Sequence, residues 1–452
     1  MKTKILLSAS LIGSLLISKA QYVDGYLTGT PTYTTIGTAS DGLSYPRDLD
    51  FMPNTNDLWV VNREATPADG GSTVRFKNPG TQTQTKEYIH DSYANHFIRY
   101  PSAIACGANG YFANSNETNN SGNYFAGPAL WDTDPAIYGV VHQNDSYLGS
   151  HIDMLHQSSF AMGIAHDNNN VYWVYDSNAG NICKYDFHTP HAPGGDDHSD
   201  GEIWRYTQVT VFANGGAPTG IPSHLVLDKV TSTLYIVDSG NKRVLKLSTK
   251  TGTVAGNLSE SSEIIAGYYE VKGATSSVYI NSGLNQPCGI DYITGRLIVS
   301  DHANGNILIY NTTGSSPVLM GTIATGATEI MGVKIGPDGK IWYVDMAKNK
   351  VVRIDANPTS TGVQRLLVNN DMVVYPNPTA DSKFTINYQL TKSEKVTITV
   401  CDVQGRMVET IASEGKFGDN LVEVAGQPYA PGIYLIRLTV GDESYFKKLS
   451  VL

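Results

Sequence analysis

Four times along this chain an aspartate closes one β-rich run, and an aliphatic residue stands six positions further on, inside the next run. The copies are VYWVYDSNAGNICKYD, LYIVDSGNKRVLKL, LIVSDHANGNILIY and IWYVDMAKNKVVRI. They pair Asp176 with Ile182, Asp238 with Val244, Asp301 with Ile307 and Asp345 with Val351. Each copy follows a short run that ends in an aliphatic anchor: Ile164, Leu225, Ile290 and Val333. Two looser copies, anchored on Leu49 and Ile104, carry Asn62 and Asn114 in place of the aspartate. Runs that alternate, turn at Asp or Asn, and alternate again are antiparallel strands joined by side-chain-stabilised turns.

The anchors stand 55, 60, 61, 65 and 43 residues apart, room for about four strands per unit. One such sheet cannot bury both of its faces. Radial stacking covers each face with the next sheet and leaves only short edges. The fold class expected is therefore all-β: a six-bladed β-propeller over residues 21–368. A strand near Tyr33–Ile36 is expected to help close the ring, against either the first or the last blade. Low charge (16%) and 44 glycines suit such a turn-rich chain.

The turn Asp238-Ser-Gly-Asn-Lys-Arg-Val244 closely resembles the NHL repeat, and the likeness extends over about residues 40–355. Among NHL-like proteins, the peptide-amidating lyases hold zinc through histidines two places before the anchors. Here those places are Arg47, Ser102, Met162, Ser223, Cys288 and Met331, so that zinc set is missing. His224 stands one place later, where a strand residue points the other way.

Residues 1–20 read as a secretory signal peptide: Lys2 and Lys4, an apolar run from Ile5 to Ile17, then Ser18-Lys19-Ala20. No later stretch approaches the roughly 20 apolar residues that span a bilayer. Lys and Arg number 32 against 42 Asp and Glu, a net charge of −10. That balance lacks the basic footprint of a nucleic-acid binder. Four cysteines, Cys106, Cys183, Cys288 and Cys401, show no metal spacing; a Cys106–Cys183 bridge stays open.

After a linker at 369–373, residues 374–452 change character. KFTINYQL, KVTITVCDV, NLVEV, GIYLIRLTV and YFKKLSVL alternate with period two, which predicts a small antiparallel, Ig-like β-sandwich. The module resembles the type A C-terminal sorting domain of the Bacteroidetes type IX secretion system. Its carriers are Tyr375, Pro376, Asn377, Pro378, Gly405, Gly432, Tyr434, Lys447 and Lys448. The resemblance implies recognition by the type IX translocon, then release or attachment at the cell surface.

Candidate ligand residues are histidines in loops. A first set, His151, His156, His224 and His302, is expected on the face formed by the loops entering each blade, converging near the axis. A second set, His188, His191, His198, Asp196 and Asp200, lies in the loop HTPHAPGGDDHSD, expected on the opposite face. Neutral imidazoles suit a divalent metal such as zinc. The acidic loop also invites calcium, although EF-hand spacing fails, because the twelfth position from Asp196 is Thr207. Two functions follow. One is recognition of a glycan, peptide or protein ligand; the other is a metal-dependent lyase or hydrolase.

Overall fold

The structure is a computed structural model of the whole chain. It describes residues 19–66, 69–119, 125–142, 147–213, 220–259, 263–357, 367–390, 394–404, 406–416, 418–424, 429–440 and 443–452. Most of the expected leader, residues 1–18, lies outside them. The chain divides into two units, one of residues 17–359 and one containing residues 360–452.

The first described strand is β1 (Thr32–Gly37). Blade 1 follows as β2 (Pro46–Phe51), β3 (Leu58–Asn62), β4 (Ser72–Lys77) and β5 (Thr85–Ile89). Blade 2 is β6 (Pro101–Cys106), β7 (Tyr111–Asn116), β8 (Ala129–Asp132) and β9 (Asp153–Met154). Blade 3 is β10 (Ala161–His166), β11 (Val171–Asp176), β12 (Asn181–Asp186) and β13 (Glu202–Tyr206). Blade 4 has β14 (Leu225–Asp228), β15 (Thr233–Asp238) and β16 (Arg243–Ser248). A hairpin of β17 (Thr253–Asn257) and β18 (Gly267–Lys272) then intervenes before β19 (Ser276–Ile280). Blade 5 is β20 (Pro287–Ile293), β21 (Arg296–Asp301), β22 (Asn306–Asn311) and β23 (Val318–Ala324). Blade 6 supplies β24 (Ile330–Ile335), β25 (Ile341–Asp345) and β26 (Lys350–Asp355).

Blade 6 takes its outermost strand from the start of the chain: β1 pairs antiparallel with β26, Tyr33 opposite Ile354. This settles the closure in favour of the last blade. The innermost strands β2, β6, β10, β14, β20 and β24 each touch the next, and β24 touches β2, so the ring is closed. The hairpin β17–β18 does not join its own blade. Strand β18 runs parallel to β13 and extends blade 3 to six strands.

Several of the repeated turn residues hold the loop that enters their own blade, while Asp176 and Asp345 accept the Ala179 and Lys348 amides of their own turns. The Asp301 carboxylate accepts the amides of Asn285 and Gln286 at 2.7 and 3.1 Å, and Asp238 accepts that of Phe212 at 2.8 Å. Asn62 does the same work with amide chemistry, accepting from Ser44 at 3.1 Å and donating to Gly42 at 2.9 Å. Asn114 donates to the Phe97 carbonyl at 3.1 Å. Between blades, alternate residues build separate apolar cores, such as Leu49, Val60, Val74 and Val344 between blades 1 and 6. All four cysteines are free, so no Cys106–Cys183 bridge forms.

In the second unit, β27 (Leu367–Tyr375) and β28 (Phe384–Leu390) precede β29 (Glu394–Asp402) and β30 (Met407–Gly415). Then come β31 (Gly418–Val424), β32 (Gly432–Val440) and β33 (Glu443–Val451). They form a three-stranded sheet, β27-β28-β31, and a four-stranded sheet, β30-β29-β32-β33. The core between them joins Phe384, Ile386 and Tyr388 to Val396, Ile398, Ile436 and Leu438. The expected linker 369–373 is in fact part of β27. Asn369-Asn370 breaks the apolar alternation there, and the register with β28 shifts between Leu367 and Met372.

Candidate functional site

Two polar clusters stand out in the propeller, one on the axis and one on the rim. On the axis, residues on either side of the anchors meet between inner strands. The Asp48 carboxylate accepts the amide of Ile104 at 3.1 Å, Asp50 accepts that of Cys106 at 2.9 Å, and Asp291 accepts that of Ile335 at 2.7 Å. Half-buried Lys334 lies 3.5 Å from Asp50; burial opposes its charge, but the neighbouring Asp50 and Asp291 outweigh it and raise the ammonium above its ordinary range. The inner strands approach closely beside Asp48: a Cβ on Gly332 would meet Asp48 Oδ1 at 2.2 Å.

His224 belongs to this axial cluster. Its Nε2 lies 3.0 Å from the carbonyl of Ser102, an acceptor, so the hydrogen sits on Nε2 and Nδ1 keeps a lone pair. That lone pair is 3.4 Å from Asp48 Oδ1. Burial pushes His224 down to about 3 and Asp48 up to about 7, so the imidazole is neutral and the two do not form an ion pair. On the next layer, buried Arg47 pairs with Glu117 and donates to the Gly220 carbonyl at 2.7 Å. Arg47, Asp48, Glu117 and His224 are all buried.

The rim cluster joins the two histidine sets expected apart. The short strand β9 is the outer edge of blade 2, and Ile152 donates to Leu130 at 2.9 Å to begin it. His151 therefore precedes the last strand of blade 2 and does not enter blade 3. The two-residue strand carries no alternation to read. The blade 3 loop that follows β12 reaches across to this edge: His191 donates its amide to Ile152 at 3.0 Å, and Gly194 donates to His151 at 2.8 Å.

One nitrogen from each of His151, His191 and His198 lies within 4.8 Å of the others, the one such trio of His, Cys, Asp or Glu among the described residues. His151 Nδ1 sits 2.6 Å from the Leu148 carbonyl, and its ring lies tilted against that of Phe97, centroids 4.2 Å apart. His191 Nδ1 is 2.8 Å from the Ala192 carbonyl, and its Nε2 is 3.3 Å from Nε2 of His198. Burial keeps all three neutral: His151 is pushed well below the ordinary range, His191 is lowered, and His198 falls to about 4. Glu263 stands behind them, 3.9 Å from His198 Nδ1, and takes the amide and ring nitrogen of His156 at 2.6 and 2.8 Å. Asp153 is also buried. Desolvation raises it to about 9, so it keeps its proton, and its Oδ2 finds no partner.

The remaining candidates lie elsewhere. His156 is linked to His198 through Glu263, which lies 2.8 Å from one ring and 3.9 Å from the other. His302 Nδ1 faces the Ile330 carbonyl at 3.1 Å, and His188 Nε2 is 3.0 Å from Glu202. The Asp200 carboxylate accepts the Thr189 amide at 3.1 Å. Asp196 supplies no member of the trio, acting on His191 and His198 as a nearby negative charge. Sequence reasoning left out Glu263, which sits in the blade 4 insertion and carries no local motif. In the second unit, Asn377 donates to the Lys448 carbonyl at 2.6 Å and accepts from the Ser450 amide at 2.9 Å, pinning the last strand. Tyr434 donates to the Ala430 carbonyl at 2.9 Å as the chain enters β32, which begins at Gly432. Tyr375 ends β27, ahead of Pro376 and Pro378, while Lys447 and Lys448 lie exposed on β33. Gly405 lies outside the described residues.

No curated protein sequence matches the chain. Among solved structures, it is similar to a structural genomics protein of unknown function from Bacteroides thetaiotaomicron, with 12% identity and a TM-score of 0.47. The match covers 72% of this chain and 76% of that one. An auxiliary nutrient binding protein from the same species gives 12% identity and a TM-score of 0.44 over the same shares. The soluble aldose sugar dehydrogenase of Escherichia coli gives 11% and 0.43, covering 73% of this chain and all of that one. No helix among the described residues is long and apolar enough to cross a membrane. Residues 373–452 match the secretion system C-terminal sorting domain. That unit is a type IX sorting domain, and the chain that carries it is exported to the cell surface or secreted.

Proposed function

We propose that the exported ring is a ligand-recognition module of NHL type, taking a glycan, peptide or protein outside the cell. One observation carries this reading: the elaborations of an otherwise plain repeat all gather in one sector. The segments on either side of β9, the loop before β13 and the β17–β18 hairpin come from three consecutive blades. They are joined by His191 to Ile152 at 3.0 Å, His156 to Glu263 at 2.6 Å and Ala266 to Gly201 at 2.9 Å. Insertions set on a rigid scaffold are where repeat proteins bind.

The segment before β9 carries the exposed ring of Tyr147, and the exposed ring of Tyr93 stacks 4.2 Å on His142 of that same segment. Such amphipathic rings bind apolar faces while leaving hydroxyls free for hydrogen bonds. Glycan and peptide arrays probed with the full chain test the reading. A reproducible hit that weakens in Tyr93→Ala and Tyr147→Ala is expected, and arrays with no reproducible hit would contradict it. The convergence of His151, His191 and His198 favours a second reading, a metal-dependent lyase or hydrolase. Its mark would be turnover abolished by chelation and restored by one metal.

A further inference from the structure

We propose that His151, His191 and His198 bind one zinc-class divalent ion on the rim of the propeller and leave one coordination position for an outside donor. The recognition reading does not depend on this site. The tautomers point to it first. The carbonyls of Leu148 and Ala192 can only accept, so Nδ1 of His151 and of His191 carries the hydrogen and each Nε2 presents a lone pair. The Nε2 of His151 is fully buried and has no hydrogen-bond partner. Buried polar atoms are nearly always paired, and an unpaired one in a cluster of ligand atoms asks for an ion or water.

The spacing agrees. Nε2 of His191 and Nε2 of His198 are 3.3 Å apart. Two nitrogens bound at about 2.0–2.1 Å to one tetrahedral ion lie about 3.3–3.4 Å from each other. Outer contacts also match what ligand histidines use elsewhere: a carbonyl behind His151, a carbonyl behind His191, and the Glu263 carboxylate behind His198. The donor set decides the metal class. Three imidazoles with no carboxylate among them suit zinc, cobalt, nickel or copper, and they are a poor cage for calcium, which takes six to eight oxygens. Three protein ligands rather than four leave a position that an oxygen or nitrogen donor of a bound molecule can fill. The three residues come from two blades, so the ion also fastens the blade 3 loop to the edge of blade 2.

The test uses the full chain, purified without a histidine tag, stripped with a chelator and titrated with Zn²⁺ against a chromophoric competitor. Co²⁺ then serves as a spectroscopic probe. One ion per chain and the intense visible bands of tetrahedral Co²⁺ are expected. His191→Ala and His198→Ala should each weaken binding at least 100-fold, while His188→Ala, exposed on the same loop, leaves it unchanged. His191 is half-buried at the mouth of the cluster, so its variant remains informative even where a change at buried His151 impairs folding. Circular dichroism checks this. Added azide should shift the Co²⁺ bands. No stoichiometric binding by the parent chain, or equal loss in His188→Ala and His191→Ala, would overturn the site. Bands indifferent to azide would overturn the open position.

Discussion

The amide of Gly194 donates to the carbonyl of His151 at 2.8 Å, and that bond lays the long loop of the third blade along the outer edge of the second. A ring of repeats is held together mainly by contacts between adjacent sheets. Here a loop adds a second, polar connection and carries two imidazoles to a third. Everything expected of the rim follows from that juxtaposition.

The loop is shaped to present His191. A Cβ on Gly195 would lie 2.8 Å from His191 Nδ1 and 2.9 Å from its Cγ, closer than side-chain atoms approach. Gly195→Ala should therefore turn the ring away, weakening Zn²⁺ binding by about tenfold or more while the thermal midpoint stays close to that of the parent. Competition titration checks it; unchanged affinity would show that the ring has room to spare.

Glu263 acts on the cluster from behind. Outer-shell partners of ligand histidines are worth about 10–100-fold in metal affinity. Glu263→Gln keeps the size of the side chain and an acceptor for the His156 amide but removes the negative charge facing His198. A loss of affinity within that range is expected, measured in the same titration with stoichiometry still one.

The axis should register pH instead of metal. Asp48 holds its proton to about 7 when folded against an ordinary 3.8, so between roughly pH 4 and 7 the folded chain binds more protons than the unfolded one. Stability from this group falls as pH rises. His224, at about 3 against 6.5, has the opposite sign and adds stability as pH rises over 3 to 6.5. In the parent chain the two slopes oppose each other. Asp48→Asn removes the falling one, so the propeller of that variant should gain more stability between pH 4.5 and 7.5 than the parent does. Urea midpoints at both pH values decide this, and parallel profiles would show that Asp48 does not titrate as described.

The turn aspartates are structural. Asp301→Ala removes the buried carboxylate that accepts the part-buried Asn285, Gln286 and Ala303 amides. A cost of about 2–3 kcal/mol is expected, read from denaturant unfolding, with metal binding unchanged. A variant as stable as the parent would mean that the turn holds itself.

Export belongs to the second unit. A chain ending before Leu367, produced in a host with the type IX system, should accumulate in the periplasm, whereas the full chain reaches the surface or medium. Fractionation and immunoblotting check it. Equal appearance of both outside the cell would remove the sorting role.

How much of this the sequence carries depends on how local each feature is. The blades are legible because Asp176, Asp238, Asp301 and Asp345 recur at a fixed distance from an aliphatic partner, and the turn chemistry that fixes them is local. The sorting unit is legible for the same reason, in strands of period two. The rim is not. Strand β9 is two residues long, so His151 looks like part of an entering loop; β18 joins a sheet formed by residues 161–206; and the blade 3 loop crosses to blade 2. Each of these depends on contacts distant in sequence. Both histidine sets contain members of the trio, but only the folded chain selects His151 from one and His191 and His198 from the other. His224 looked like a ligand and is instead a neutral ring packed against Asp48 on the axis.

Metal analysis of the untagged full chain, with His191→Ala alongside, addresses the rim site most directly. One zinc-class ion per parent chain and almost none in the variant is the expected result. Near-zero metal in the parent even after exposure to excess Zn²⁺, or the same content in both proteins, would contradict it.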